Sequence, residues 1–152
     1  MIRTWLPLAS GLIAALTCVA AERGVQAQFV GGTLAAFPAK SKARLDLTDA
    51  EGLFFRSGKT NLRIAYAKIE TLEYGQGVSR RYAAAVLISP LLLLSKSRQH
   101  YVTLGYVDTD GNQQALVFRV EKGDIRSVLA SLEARSGRRV EFQDDDARKA
   151  GK

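Results

Sequence analysis

Hydrophobic positions fall into two regimes along the chain. From Trp5 to Ala21 the residues are apolar or small with no charge among them, after a short basic start at Met1-Ile2-Arg3. From Gly32 onward the pattern becomes short alternating segments. Ala43, Leu45 and Leu47 alternate with Arg44, Asp46 and Thr48, a period of two that predicts a strand with one wet face. Thr48 to Gly52 turns the chain into Leu53-Phe54-Phe55-Arg56, and Ser57-Gly58-Lys59 turns it again into Leu62, Ile64 and Tyr66. Leu72 and Tyr74 lead to a strand end near Gly75 and Gly77. Val102, Leu104 and Tyr106 resume the alternation. Asp108 to Asn112 makes a loop, and Leu116, Phe118 and Val120 form the returning strand. An Asp-Gly step between alternating strands is a strong hairpin signal.

One helix is predicted after these strands. Ile125, Val128, Leu129 and Leu132 share a stripe at helical spacing. Asp124 stands where an N-cap carboxylate accepts from first-turn amides, and Gly137 where a left-handed residue ends the helix. Val140 and Phe142 alternate briefly before a charged stretch, Asp144 to Lys152, which reads as a disordered tail. The mature domain is therefore expected to be mainly β, an antiparallel meander of about seven strands with one C-terminal amphipathic helix.

The apolar start, basic on its N-terminal side and followed by small residues, has the layout of a secretion signal helix. Val25-Gln26-Ala27 places cleavage after Ala27, with cuts after Ala20 or Ala21 as alternatives. Domains of 1–27 (signal), 28–142 (β-rich) and 143–152 (tail) follow. Left uncleaved, Trp5 to Ala21 would make a short anchor interrupted by Pro7, Ser10, Gly11 and Thr17. Lipidation at Cys18 is disfavoured, because Ala15 and Thr17 stand where a lipoprotein signal places a large aliphatic and a very small residue. The expected location is thus exported, periplasmic or secreted. Cys18 is the sole cysteine, so a processed chain has neither a disulfide nor a thiol nucleophile, and its single domain rests on its core.

Charge narrows the partners. The chain has 22 Lys+Arg and 15 Asp+Glu, a net +7. Loss of residues 1–27 removes Arg3, Glu22 and Arg23 and leaves the excess close to that value. A basic exported domain favours anionic headgroups or acidic polymers over nucleic acid.

About seven strands closed by one C-terminal amphipathic helix resemble the pleckstrin-homology-like superfold. The residues carrying the resemblance are the alternating pairs around Asp49 to Gly52 and Leu62 to Tyr74, with the helix Asp124 to Arg135 running into Ser136-Gly137-Arg138. The chain is similar to exported bacterial proteins with that domain type, and the resemblance implies a barrel or sandwich over Leu34 to Phe142. Phosphoinositide-binding members carry a basic cluster flanking the loop between the first two strands. Here Asp49 and Glu51 occupy the loop counted as that one, so this ligand site is not carried over, and fold alone implies no function.

Several motifs reduce to turns. Ser57-Gly58-Lys59-Thr60 looks like the end of a phosphate loop, but Gly52 lies one residue too far upstream, and strands flank it. Asp108, Asp110 and Asn112 are spaced like a calcium loop, yet Gly111 is misplaced and Arg119 stands where the closing glutamate belongs. His100, the only histidine, has no nucleophile motif beside it. No cofactor and no enzymatic activity are expected.

The remaining feature is an apolar segment, Ala83 to Leu94, broken at Ser89-Pro90. Arg80 and Arg81 precede it, Leu91, Leu92, Leu93 and Leu94 end it, and Lys96 and Arg98 follow. It is too short to span a bilayer. Cations around an apolar hairpin suit an anionic interface; packing against the protein's own sheet is the alternative. The function expected is a non-catalytic binding or scaffold module of the envelope, contacting an anionic membrane or a partner protein through this segment. The other reading is a structural subunit that oligomerises through it.

Overall fold

The computed structural model describes residues 24–77 and 99–151. The signal segment expected over 1–27 lies outside these residues as far as residue 23, and the segment 83–94 with its flanking cations lies wholly outside them.

Among the described residues, eight strands form one mixed sheet in the order β4-β3-β2-β1-β7-β6-β5-β8. They are β1 (Val25–Gly32), β2 (Lys42–Asp46), β3 (Gly52–Ser57), β4 (Thr60–Ala65), β5 (Ile69–Gly75), β6 (His100–Val107), β7 (Gln113–Val120) and β8 (Val140–Phe142). A 3₁₀ turn, Tyr66–Lys68, joins β4 to β5, and α1 (Ile125–Ser136) and α2 (Asp145–Gly151) are the helices of the described residues. The fold is mainly β, as the alternation predicts.

The finer expectations are corrected in four respects. The sheet does not close into a barrel, since β4 and β8 end it without pairing to each other. Strand β1 was absent from the predicted meander and crosses the expected cleavage point: Val25 pairs with Leu45, Gln26 with Arg44, and Ala27 with both Ala43 and Val120. A chain beginning at residue 28 would lose those ladder positions. Strand β8 lies parallel to β5, Leu72 opposite Val140 and Tyr74 opposite Phe142, so the sheet is not purely antiparallel. Finally, residues 145–151 form a helix where a disordered tail was expected. Asp144 accepts from the Ala147 amide at 2.7 Å as an N-cap, and Ala147 is fully buried. The next two aspartates sit in the first turn, where negative charge favours the helix dipole.

Alternation decides which side chains face inward. Leu45, Leu53, Phe55, Ile64, Leu72, Tyr74, Val102, Leu104, Leu116 and Phe118 join α1's Ile125, Val128, Leu129 and Leu132 in one buried cluster. Residues from both ends of the sheet meet there, so the sheet curls over the helix. Phe37, from the loop between β1 and β2, enters the same cluster, its ring centroid 5.2 Å from Phe29 and 5.6 Å from Phe55. Helix α1 is strapped at its C-terminal end: Arg135 donates to the Asp49 carbonyl at 2.6 Å and Arg138 to that of Ile69 at 3.1 Å. Gly137 adopts φ 68°, the left-handed stop the sequence predicts. The expected Asp124 cap is not made. Its side chain forms no cap bond, and Ser127 Oγ donates to the Asp124 carbonyl instead.

Both suspect loops are turns. Ser57 and Thr60 pair across a two-residue hairpin with Gly58 at φ 57°, the residue and conformation a II′ turn needs first. Asp108 Oδ1 accepts from the amides of Asp110 at 2.9 Å and Asn112 at 2.8 Å, and Oδ2 from Gln114 at 2.9 Å. That carboxylate holds the β6–β7 turn, and these bonds lower its pKa.

Candidate functional site

Ladder register builds a basic face on the outside of the first half of the sheet. Gln26 lies opposite Arg44, Arg44 opposite Arg56, and Arg56 opposite Asn61, one continuous row across β1, β2, β3 and β4. One step along, Lys42, Gln28 and Arg119 form a second row across β2, β1 and β7. These side chains line one open cleft of about 720 Å³, to which Glu121 contributes the single carboxylate. Four cations thus share a concave surface with one acid.

Directly opposed like charges weaken a sheet, since cross-strand Cβ atoms are about 5 Å apart. Arg44 and Arg56 accept that cost while their neighbours relieve part of it. Arg56 Nη1 is 3.4 Å from Asp46 Oδ2, and Arg44 Nη1 is 3.4 Å from the Gly24 carbonyl. Arg119 donates to Gln99 Oε1 and stands 3.8 Å from Glu121. Each guanidinium is tethered through a terminal nitrogen, and Arg56 and Arg119 keep 44 % and 31 % of their side chains exposed, where phosphate or carboxylate oxygens can reach them.

The contact residues expected from sequence, Arg80, Arg81, Leu91, Leu92, Leu93, Leu94, Lys96 and Arg98, lie outside the described residues. The basic face was missed because no local run of basic residues announces it; Lys42, Arg44, Arg56 and Arg119 become neighbours only through register. Strand β1 also changes the strand count. The loop between the first two strands is 33–41, not the one holding Asp49 and Glu51, and Lys40, Lys42 and Arg44 flank its far side. Asp49 instead accepts from the Glu51 and Gly52 amides at 2.9 and 3.0 Å, which lowers its pKa and closes the β2–β3 turn.

His100, set aside as structural from sequence, opens β6. Its ring stacks on Tyr74 with planes 6° apart, and Nδ1 shares a 2.5 Å hydrogen bond with the Tyr74 hydroxyl. Burial and then the Lys122 charge push its pKa below the ordinary histidine value. Among the described residues no group of three or more His, Cys, Asp or Glu side chains converges as a metal site, and no helix is long and apolar enough to cross a membrane. A scan against protein-family models and a search of curated proteins find no match to this chain.

Proposed function

We propose that the chain is a non-catalytic, exported binding module of the bacterial envelope, pleckstrin-homology-like in architecture, that docks an anionic membrane surface through its basic face. The observation that carries this reading is the Arg44–Arg56 pair directly opposed across β2 and β3, sharing one cleft with Lys42 and Arg119. A fold gains nothing from placing like charges opposite each other; an anionic partner turns that cost into attraction. Each cation near an anionic surface contributes about 1 kcal/mol. The order β4-β3-β2-β1-β7-β6-β5 followed by α1 supports the architectural part.

Export needs a cut that leaves β1 intact. Cleavage after Ala20 or Ala21 does so, and the mass of the exported protein's first residues checks it.

Vesicle flotation tests the binding. The protein is expected to float with phosphatidylglycerol-containing vesicles, not with purely zwitterionic ones, and less as salt rises. Arg44→Glu with Arg56→Glu is expected to weaken binding at least about tenfold, two reversed charges being worth more than 1.4 kcal/mol. Arg80→Glu with Arg81→Glu, assayed beside it, measures what the segment 83–94 contributes. Flotation that ignores anionic lipid, or survives the Arg44 and Arg56 reversal, rejects the basic face as the docking surface.

A further inference from the structure

A second cationic cleft lies where β6 begins and the C-terminal helix docks, beyond the Glu121 edge of the basic face. It measures about 660 Å³ and is lined by Gln76 beyond β5, His100 at the start of β6, Lys122 and Gly123 in the β7–α1 turn, Arg126 in α1, and Asp146 and Lys149 in α2. Among the described residues, three cations and an amide face one carboxylate. Five separate parts of the chain contribute, so the grouping is a product of the fold and not of one basic run.

We propose that this cleft binds the dianionic phosphate of a phosphomonoester, with His100 as a hydrogen-bonding member of the site. Lys122, Arg126 and Lys149 outnumber Asp146 in the described lining, with Glu121 and Asp144 set further back; a doubly charged phosphate monoester gains more from three such cations than a singly charged phosphodiester. Lys122, Arg126 and Lys149 supply point charges and forked donors of the kind phosphate oxygens accept. The Tyr74 hydroxyl already engages Nδ1 of His100, and the ring is stacked in place, so Nε2 is the nitrogen offered to a ligand. This site is distinct from the basic face: Arg44, Arg56 and Lys42 line the other cleft.

Proton uptake couples to such binding. The groups around the imidazole are Tyr74 from β5, Glu121 and Lys122 at the end of β7, Arg126 from α1, and Asp144, Asp146 and Lys149 around α2. Burial and Lys122 hold His100 neutral at pH 7. A phosphate between Lys122 and the ring reverses the local field and favours the imidazolium.

Because the protein has a single histidine, one imidazole NMR signal reports the site without assignment. The full domain is titrated with inorganic phosphate, and with chloride at equal ionic strength. Phosphate is expected to move the signal saturably and to raise the histidine's midpoint by at least about half a pH unit. Lys122→Gln with Lys149→Gln is expected to abolish the effect with circular dichroism unchanged, whereas Arg44→Glu with Arg56→Glu leaves it intact. The latter variant separates this inference from the membrane-docking proposal. Vesicles containing phosphatidic acid, a monoester, compared with phosphatidylglycerol, a diester, tell the source apart: preference for phosphatidic acid assigns a lipid headgroup, and a response to free phosphate alone assigns a soluble phosphomonoester. Equal responses to phosphate and chloride, or a phosphate response that survives Lys122→Gln with Lys149→Gln, overturn the proposal.

Discussion

The outer surface of the sheet has two halves of opposite character. Across β1 to β4 the open part of it carries Gln26, Gln28, Lys42, Arg44, Arg56 and Asn61, with Asp46, Phe54 and Arg63 further along the same side. Across β5 to β7 the central positions on that same side are Glu73, Tyr101, Thr103, Ala115 and Val117, all at most 5 % exposed, Val117 at zero, while Thr71, Val107, Gln113 and Arg119 at its margins are less covered. Register proves that these are one side: Arg119, in the basic cleft, lies opposite Tyr101, and Val117 opposite Thr103. None of these residues belongs to the inner cluster formed with α1. The second half of the sheet is therefore covered on both faces, and the first half on one. The difference bears on the proposed docking role: the first half leaves its polar side open, and the second half buries the middle of both sides.

The same type of substitution should then have unequal consequences in the two halves. Val117→Asp places a carboxylate at a site without water and is expected to cost more than about 3 kcal/mol. Gln28→Asp, one strand away on the wet half, is expected to change stability by less than about 0.5 kcal/mol. Urea denaturation of both variants measures the contrast. Equal, small losses would mean that the outer surface is a single solvated face.

A smaller effect distinguishes the halves by pH. His100 stands at the margin of the covered half, and its folded-state pKa lies below the 6.5 of an unfolded histidine. The unfolded chain thus binds the proton more readily. His100's contribution is complete above pH 6.5, declines as pH falls from there through the folded-state value, and then levels off. Denaturation midpoints recorded from pH 8 to pH 5 should show that slope, and His100→Asn should remove it. A slope that persists in His100→Asn assigns it to other groups.

The smallest expected change in stability is at Arg44. Arg44→Thr relieves the repulsion with Arg56 but gives up the bond to the Gly24 carbonyl, and the net is expected within about 0.5 kcal/mol. Anionic-vesicle binding should nevertheless fall. A variant that loses both stability and binding in parallel would make Arg44 a structural residue instead.

How much of this was legible beforehand depends on range. The strands from β2 to β7 and the helix α1 follow from local alternation and a 3.6-residue stripe, and the structure has them close to where the pattern puts them. β1 has the same alternation, Val25, Ala27 and Phe29 against Gln26 and Gln28, but the same small residues also fit a signal-peptidase boundary, and that competing pattern won. The error propagated, because the count of strands decides which loop is the first. Helix α2 was hidden by a run of three aspartates that reads as a solvated tail; its first member is a cap, visible only once Ala147 is known to be buried. The basic face could not be read at all. Arg44 and Arg56 are 12 residues apart and Arg119 is a further 63 away, and no periodicity within one strand reports the register between strands.

Phe37 has one more consequence. By sinking into the interior against Phe29 and Phe55, it pins the 33–41 connection that borders the basic face. Under the proposed docking role, a surface whose border is fastened in this way arrives already shaped, so little ordering entropy is spent when a ligand lands. The adapting must come from the other side: headgroups can rearrange beneath a rigid template of guanidiniums, whereas a stiff polyanion with the wrong charge spacing would find nothing that bends to meet it.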